Sequence, residues 1–331
     1  MFHVSVLIAT RNRASLLSNM LSSLARQQLN RDTRIEVIVV DNGSTDETSN
    51  VLRQHQERFE LVPLYENTPG KSRALNRALE VAKGELLVFA DDDITLSPMW
   101  LESLNRCSHQ YKAARAFCGP IVPNFPPSTP DWIQNHPSTA SMFARFEPNI
   151  PEGPLPEPLL PFGCNFSVRS CDARGHRFRL DLGPSAANGP LFNEDTEFVR
   201  RFRQHPDHII YVPTAMVRHH ISLDRITLPG ISERAFHLGR GQVADLLIPN
   251  FEYGLLAMVA TRVSSSPSDL YEKAALANFY CGQLYQFHSL GNRSFDHEYT
   301  DAFLSLDIDH ARSLLGPSAQ AFFDSFWGQR S

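Results

Sequence analysis

The sequence predicts an α/β fold: a Rossmann-like, mostly parallel sheet flanked by helices, with a helical C-terminal extension. Three observations carry this. Strand and helix patterns alternate from Val4 to Gln110 at the spacing of right-handed βαβ units. The run Leu86-Leu87-Val88-Phe89-Ala90 is continuously apolar, the mark of a strand buried on both faces. The strand patterns end in polar groups, and a parallel sheet gathers such ends at one edge, where open α/β sheets bind ligands.

The elements follow in order. Val4 to Ala9 is a strand ending in Thr10-Arg11-Asn12-Arg13, and Ala14 to Gln27 places Leu16, Leu17, Met20, Leu21 and Leu24 at helical spacing. Ile35 to Val40 is a second strand, ending in Asp41-Asn42-Gly43-Ser44-Thr45-Asp46, and helix signals return from Asp46 to Arg58. A third strand covers Leu61 to Tyr65, and Gly70 opens a helix over Lys71 to Leu79. Glu85 to Ala90 is the fourth strand, closed by Asp91-Asp92-Asp93, and Pro98 to Gln110 reads as a helix. Pro120 to Pro161 is dense in proline, which predicts an ordered loop or a short helix. Phe162 to Val168 is a strand, Asn193-Glu194-Asp195 caps a helix over Thr196 to Gln204, and Ile209 to Pro213 and Ala215 to His220 are short strands. From Ser232 onward the pattern is helical, broken at Ser264 to Ser268.

Composition narrows the class. The 331 residues suffice for a large core, and a net charge of -5 leaves no basic footprint for nucleic acid. Five cysteines are scattered without a CxxC pair, which suits a reducing compartment. No signal-peptide pattern precedes Val4, and no run approaches the ~20 apolar residues that span a bilayer. A cytoplasmic protein is expected, with peripheral contact at the inner membrane face left open.

Chemistry concentrates at four strand ends: Thr10 to Arg13, Asp41 to Asp46, Asp91 to Asp93 and His219-His220. Three adjacent carboxylates repel one another, so the triplet calls for a cation or a solvated turn. A helix cap is the plainer alternative.

In these motifs the chain resembles the family 2 glycosyltransferases of GT-A fold. The resemblance runs over roughly residues 3 to 240. It rests on Val4 to Arg13, Val37 to Asp46, Gly70 to Asn76, Phe89 to Asp93, Gly163 to Val168 and Asn193-Glu194-Asp195, in that order. It implies inverting, metal-dependent transfer of a sugar from a nucleotide-diphosphate donor, UDP-sugars favoured, to an acceptor hydroxyl. The implied setting is glycan, polysaccharide or glycoconjugate synthesis. The partners are then the donor and a sugar, lipid-linked or other hydroxyl acceptor, with a homodimer left open.

The resemblance also implies roles. Asp93 and His219 hold Mn²⁺ or Mg²⁺, His219 being chosen over His220. Thr10, Arg13, Asp41, Arg73 and Asp91 line the donor nucleotide, with Lys71 as a weaker candidate beside Arg73. Asp92 is grouped with them, although a triple acid permits more than one register. Asp195 is the general base, and Asn165 and Glu194 serve the acceptor side. Arg225 and Arg234 are candidates for the diphosphate, with plain surface charge as the equal alternative. Two positions depart from the common family wording: Ala9 stands where proline is frequent, and Asn193 stands where glycine often precedes the acidic pair.

The expected division is a glycosyltransferase domain over 1–240, with a nucleotide-binding half at about 1–115 and an acceptor half at about 116–240, followed by a helical region over 241–331. A non-catalytic nucleotide-sugar-binding protein is the alternative from another class; retention of both Asp93 and Asp195 argues against it. A nucleotidyltransferase is weaker still, because Thr10 to Arg13 offers no glycine-rich phosphate loop.

Overall fold

The computed structural model describes residues 2–135, 141–184 and 190–246, with the isolated positions 278, 317, 318, 320 and 321. The chain divides into two compact units. The first takes Met1–Asn124, Phe143–Ala186 and Glu194–His220; the second takes Phe125–Met142, Ala187–Asn193 and Ile221–Ser331.

The first unit opens with β1 (Phe2–Thr10), α1 (Ala14–Leu24), β2 (Thr33–Asp41), α2 (Thr48–His55), β3 (Glu60–Tyr65), α3 (Lys71–Val81) and β4 (Leu86–Asp91). These strands pair in parallel in the order β3-β2-β1-β4. Because β4 lies on the opposite side of β1 from β2, the chain reverses its winding at the β1–β4 junction. That is the topological switch point at which such sheets bind ligands. Val4, Val6, Leu7, Ile8 and the run Val37 to Val40 are fully buried, as continuous apolar strands require.

After β4 the chain makes β5 (Ile94–Leu96), α4 (Trp100–Gln110), β6 (Ala116–Cys118), β7 (Ile121–Asn124), β8 (Gly153–Pro154), β9 (Asn165–Arg169), α6 (Ser170–Ala173), α7 (Glu194–Arg200), β10 (Ile209–Tyr211) and β11 (Val217–His220). The intervening α5 (Asp131–Asn135) belongs to the second unit. The main sheet has eight strands in the order β3-β2-β1-β4-β9-β6-β10-β8. β9 enters antiparallel between β4 and β6, so the sheet is parallel in its first half and mixed beyond. A second sheet of three strands runs β5-β11-β7.

Two expected boundaries shift. β6 begins at Ala116 and joins the same sheet as β4 through β9, so the nucleotide and acceptor halves share one sheet. The boundary expected at 240 falls inside α8 (Leu228–Leu246), a continuous helix of the second unit. Phe251 to Ser331, including the break at Ser264 to Ser268, lies outside the described residues apart from the isolated positions above. Among the described residues, no helix is long and apolar enough to cross a membrane. The four described cysteines are free thiols.

Single polar side chains fix the loops over the strand ends. Asp46 accepts from Ala14 N with one oxygen (2.9 Å) and from Thr48 N and Oγ1 with the other, so one carboxylate caps two helices. Asn42 accepts from Gly70 N (2.7 Å) and donates to the carbonyls of Glu66 and Thr68, tying the end of β2 to the start of α3.

Candidate active site

Strand register brings the acids together. Thr10 pairs with Asp41 and Ala9 with Asp91, so three strands end side by side in polar groups. The middle acid is spent on the protein. Asp92 is buried; its Oδ2 accepts from Thr10 Oγ1 (2.7 Å) and its Oδ1 from Arg13 (2.9 Å). The same Arg13 nitrogen reaches Asp93 Oδ2 at 2.9 Å. Burial pushes the Asp92 carboxyl up to about 6, Arg13 opposing this and Asp93 adding to it. Thr10 and Arg13, expected to line the nucleotide, thus hold the acidic turn.

The second sheet delivers the histidine. His219 pairs with Ile94 across β11 and β5, and His220 N donates to Asp93 O (2.8 Å). Strand alternation then separates the two rings. His219 is buried, with Nε2 3.6 Å from Asp93 Oδ1. His220 turns to Thr95 Oγ1 (2.7 Å) and Asn124 Nδ2 (3.0 Å) instead. His219 Nδ1 lies 3.0 Å from the Phe143 carbonyl, which can only accept. In the neutral ring this contact puts the proton on Nδ1 and leaves the Nε2 lone pair facing Asp93.

Lys71 joins the acids to α7. Its Nζ is 2.7 Å from Asp91 Oδ1 and 3.7 Å from Glu194 Oε1. Burial disfavours the ammonium, but Asp91, Glu194 and Asp195 outweigh it and raise the Lys71 pKa. Glu194 is buried, and its carboxyl is pushed up to about 7 by that burial and by Asp195, with Lys71 opposing.

An aromatic cluster sets where α7 begins. Phe198 stacks on Phe178 at 4.1 Å and meets Phe89 of β4 edge-on at 5.7 Å, while Phe89 stacks on Phe166 of β9 at 4.6 Å. α7 therefore rests on the two strands that carry the acids and the Gly163 turn. Asp195 accepts from Thr196 N (2.7 Å) and from Gly163 N. Asn193 sits at φ +89°, a left-handed conformation that Asn tolerates better than most residues, which explains the departure from the family's glycine there.

The remaining expected residues have contacts of their own. Asp41 accepts from Ser44 N (2.8 Å) at the end of β2. Arg73 is exposed on α3, and it is Lys71, the weaker candidate, that reaches the acids. Asn165 differs from expectation: fully buried, it accepts from Trp100 Nε1 (2.8 Å) and donates to the carbonyls of Pro120 (2.9 Å) and Ala215 (2.8 Å). Its amide braces strands rather than facing an acceptor. Arg225 and Arg234 belong to the second unit, where Arg225 donates to Met142 O and Arg234 stacks over Phe192 at 4.6 Å.

Lys71 had a legible signal. A cation at the first position of a helix opposes the helix dipole, so its presence implies an acidic partner. The Phe143 carbonyl had none, since a backbone group leaves no trace in residue type.

Among the described residues, no group of three or more His, Cys, Asp or Glu side chains forms a metal cage. Asp93 Oδ1 and His219 Nε2 are two donors 3.6 Å apart. Such a pair fits a hard cation whose other positions are filled by phosphate oxygens and water.

Comparison with known proteins decides the family. Residues 5–171, half of the chain, match the family described as Glycosyl transferase family 2. The chain belongs to glycosyltransferase family 2. Among curated relatives of this glycosyltransferase, the succinoglycan biosynthesis protein ExoM of Rhizobium meliloti (strain 1021) is 26% identical over 281 residues, 84% of this chain and 85% of that one. A validoxylamine A glucosyltransferase of Streptomyces hygroscopicus subsp. jinggangensis is 31% identical over 147 residues, 44% of this chain and 33% of that one. Among solved structures, the mannosyltransferase PcManGT from Pyrobaculum calidifontis aligns with TM-score 0.53 at 18% identity, over 98% of this chain and 87% of that one. S. aureus TarS 1-349 aligns with TM-score 0.50 at 15% identity, over 95% and 83%. At such identities the likeness concerns the fold, and that fold is GT-A.

Proposed function

We propose that this glycosyltransferase moves a sugar from a nucleotide-diphosphate donor, UDP-sugars favoured, to a hydroxyl acceptor with inversion at the anomeric carbon, a divalent cation being bound with the donor. The observation that carries the reading is Lys71. Its ammonium meets Asp91 of the acid turn at 2.7 Å and Glu194 beside Asp195 at 3.7 Å, so donor carboxylates and candidate base surround one point. Two relatives lend support: PcManGT was solved in complex with GDP-Man and Mn²⁺, and ExoM is named for succinoglycan biosynthesis. Polysaccharide or glycoconjugate synthesis on a sugar, lipid-linked or other hydroxyl acceptor is the corresponding setting.

In this mechanism Asp93 and His219 hold Mn²⁺ or Mg²⁺, whose chemistry is to neutralise negative charge on a departing nucleoside diphosphate. Arg13 and Thr10 keep Asp92 and Asp93 in place. Lys71 adds a fixed positive charge beside Asp91, where it costs no reorganisation during the reaction. Asp41 and Asp91 serve the nucleoside. Asp195 takes the acceptor's hydroxyl proton as that oxygen attacks, while Glu194, 3.7 Å from the Lys71 ammonium, orients the pair.

Asp195→Asn tests the base. The donor is the nucleotide sugar that most raises the melting temperature with Mn²⁺, and the readout is nucleotide release. The variant should keep that thermal shift and lose release by about 10²- to 10⁴-fold, the usual worth of general-base catalysis. Release at the wild-type rate would contradict the assignment.

A further inference from the structure

Gly163 touches Asp195 in two ways. Its backbone N–H donates to Asp195 Oδ2. Its missing side chain also leaves the space that the carboxylate fills. A Cβ built there would stand 2.9 Å from Asp195 Cβ and 3.1 Å from Cγ, and would collide with Oδ2. Backbone torsion gives no reason for glycine here, because Gly163 is not among the residues with positive φ. The requirement is for space alone.

The turn that carries Gly163 is itself held rigidly. Asn165 N donates to Phe162 O (3.3 Å), closing the turn just ahead of β9. Two residues on from Gly163, the Asn165 amide is locked by Trp100, Pro120 and Ala215. Thr196 N holds the other oxygen of Asp195 at 2.7 Å. Both oxygens are therefore fixed by amides on two separate elements.

We infer that Gly163 is a positioning residue: the bare Cα and N–H form the seat that fixes the Asp195 carboxylate in the place from which it takes the acceptor proton. This rests on the reading of Asp195 as the base. A methyl group on the seat displaces the carboxylate by a fraction of an ångström to an ångström, and misplacement on that scale costs about 10²-fold in rate.

The test uses the full chain with Mn²⁺ and the stabilising nucleotide sugar. Gly163→Ala should keep the donor-induced thermal shift and lower nucleotide release by about 10²-fold in kcat, with KM for the donor unchanged. In an Asp195→Asn background the same change should have no further effect on rate. Asp195→Glu keeps the carboxylate but pushes it past the seat by one methylene; it leaves Gly163 untouched and should lose most of the rate, so the inference stays testable even if Gly163→Ala fails to fold. Wild-type rates in either single variant, or a further loss from Gly163→Ala on top of Asp195→Asn, would overturn the inference. If Asp195→Asn itself kept full activity, the reading of the base would fall instead, and that result is distinct.

Discussion

Of the three acids that end β4, the middle one shows how much a motif conceals at the residue scale. Asp91, Asp92 and Asp93 are chemically equal in the sequence, yet Asp92 is buried on Thr10 and Arg13 while Asp91 meets Lys71 and Asp93 faces His219. Register separates them, and register is invisible in a run of identical residues. His219 and His220 are equally alike in sequence, and strand alternation in β11 puts the His219 ring beside Asp93 and the His220 ring at Thr95. Glu194 gives a prediction with a definite sign. Its carboxyl titrates at about 7 in the folded chain against an ordinary 4.5. Between those values the folded state holds a proton that the unfolded state has released, so stability falls as pH rises from about 4.5 to about 7. Glu194→Gln removes this loss. Its melting temperature should match wild type near pH 4 and exceed it by up to about 5 °C at pH 8, on the order of 3 kcal/mol for a shift of this size. Melting curves across that range check it, and a gap that does not change with pH would contradict it.

At the scale of elements, the long periodic segments were legible and the short ones were not. β1, β2, β4, α1 and α3 follow from continuous apolar runs and helical spacing, and their observed ends lie within three residues of expectation. β5, β6 and β7 have three or four residues each, too few to show a period, and β7 lies in a proline-dense stretch that disfavours strands. They form through tertiary pairing rather than local preference. Asn165 is the clearest case of an element-level role hidden behind a motif. Placed in a family pattern it suggests an acceptor contact; in the fold it ties α4 to the segments leading into β7 and β11 through three hydrogen bonds. Asn165→Leu keeps the branched side-chain skeleton and strands three buried polar groups, each worth about 1–3 kcal/mol. Urea unfolding should show a loss of at least about 3 kcal/mol. A loss below about 1 kcal/mol would mean the amide is not the brace described here.

For the whole molecule, the parallel pairing of β1 to β4 and the edge where their polar ends gather follow from the alternating pattern, whereas the order β3-β2-β1-β4 and its switch point do not. Nor do the antiparallel entry of β9 and the separate β5-β11-β7 sheet, because they join segments far apart in sequence. Those pairings complete the site: β9 follows Gly163, and β11 brings His219 to Asp93. The proposed cation, donor and base are all argued from that edge. Calorimetric titration of nucleotide sugars with and without Mn²⁺, on the wild type and Asp93→Ala, tests that claim most directly. Wild type should bind at least one UDP-, GDP- or dTDP-sugar in a Mn²⁺-dependent manner, and Asp93→Ala should weaken that binding by at least about 100-fold, because losing even an outer-shell partner of a metal costs about 10- to 100-fold. Binding that is indifferent to both Mn²⁺ and Asp93, or no binding of any donor by the wild type, would contradict the account.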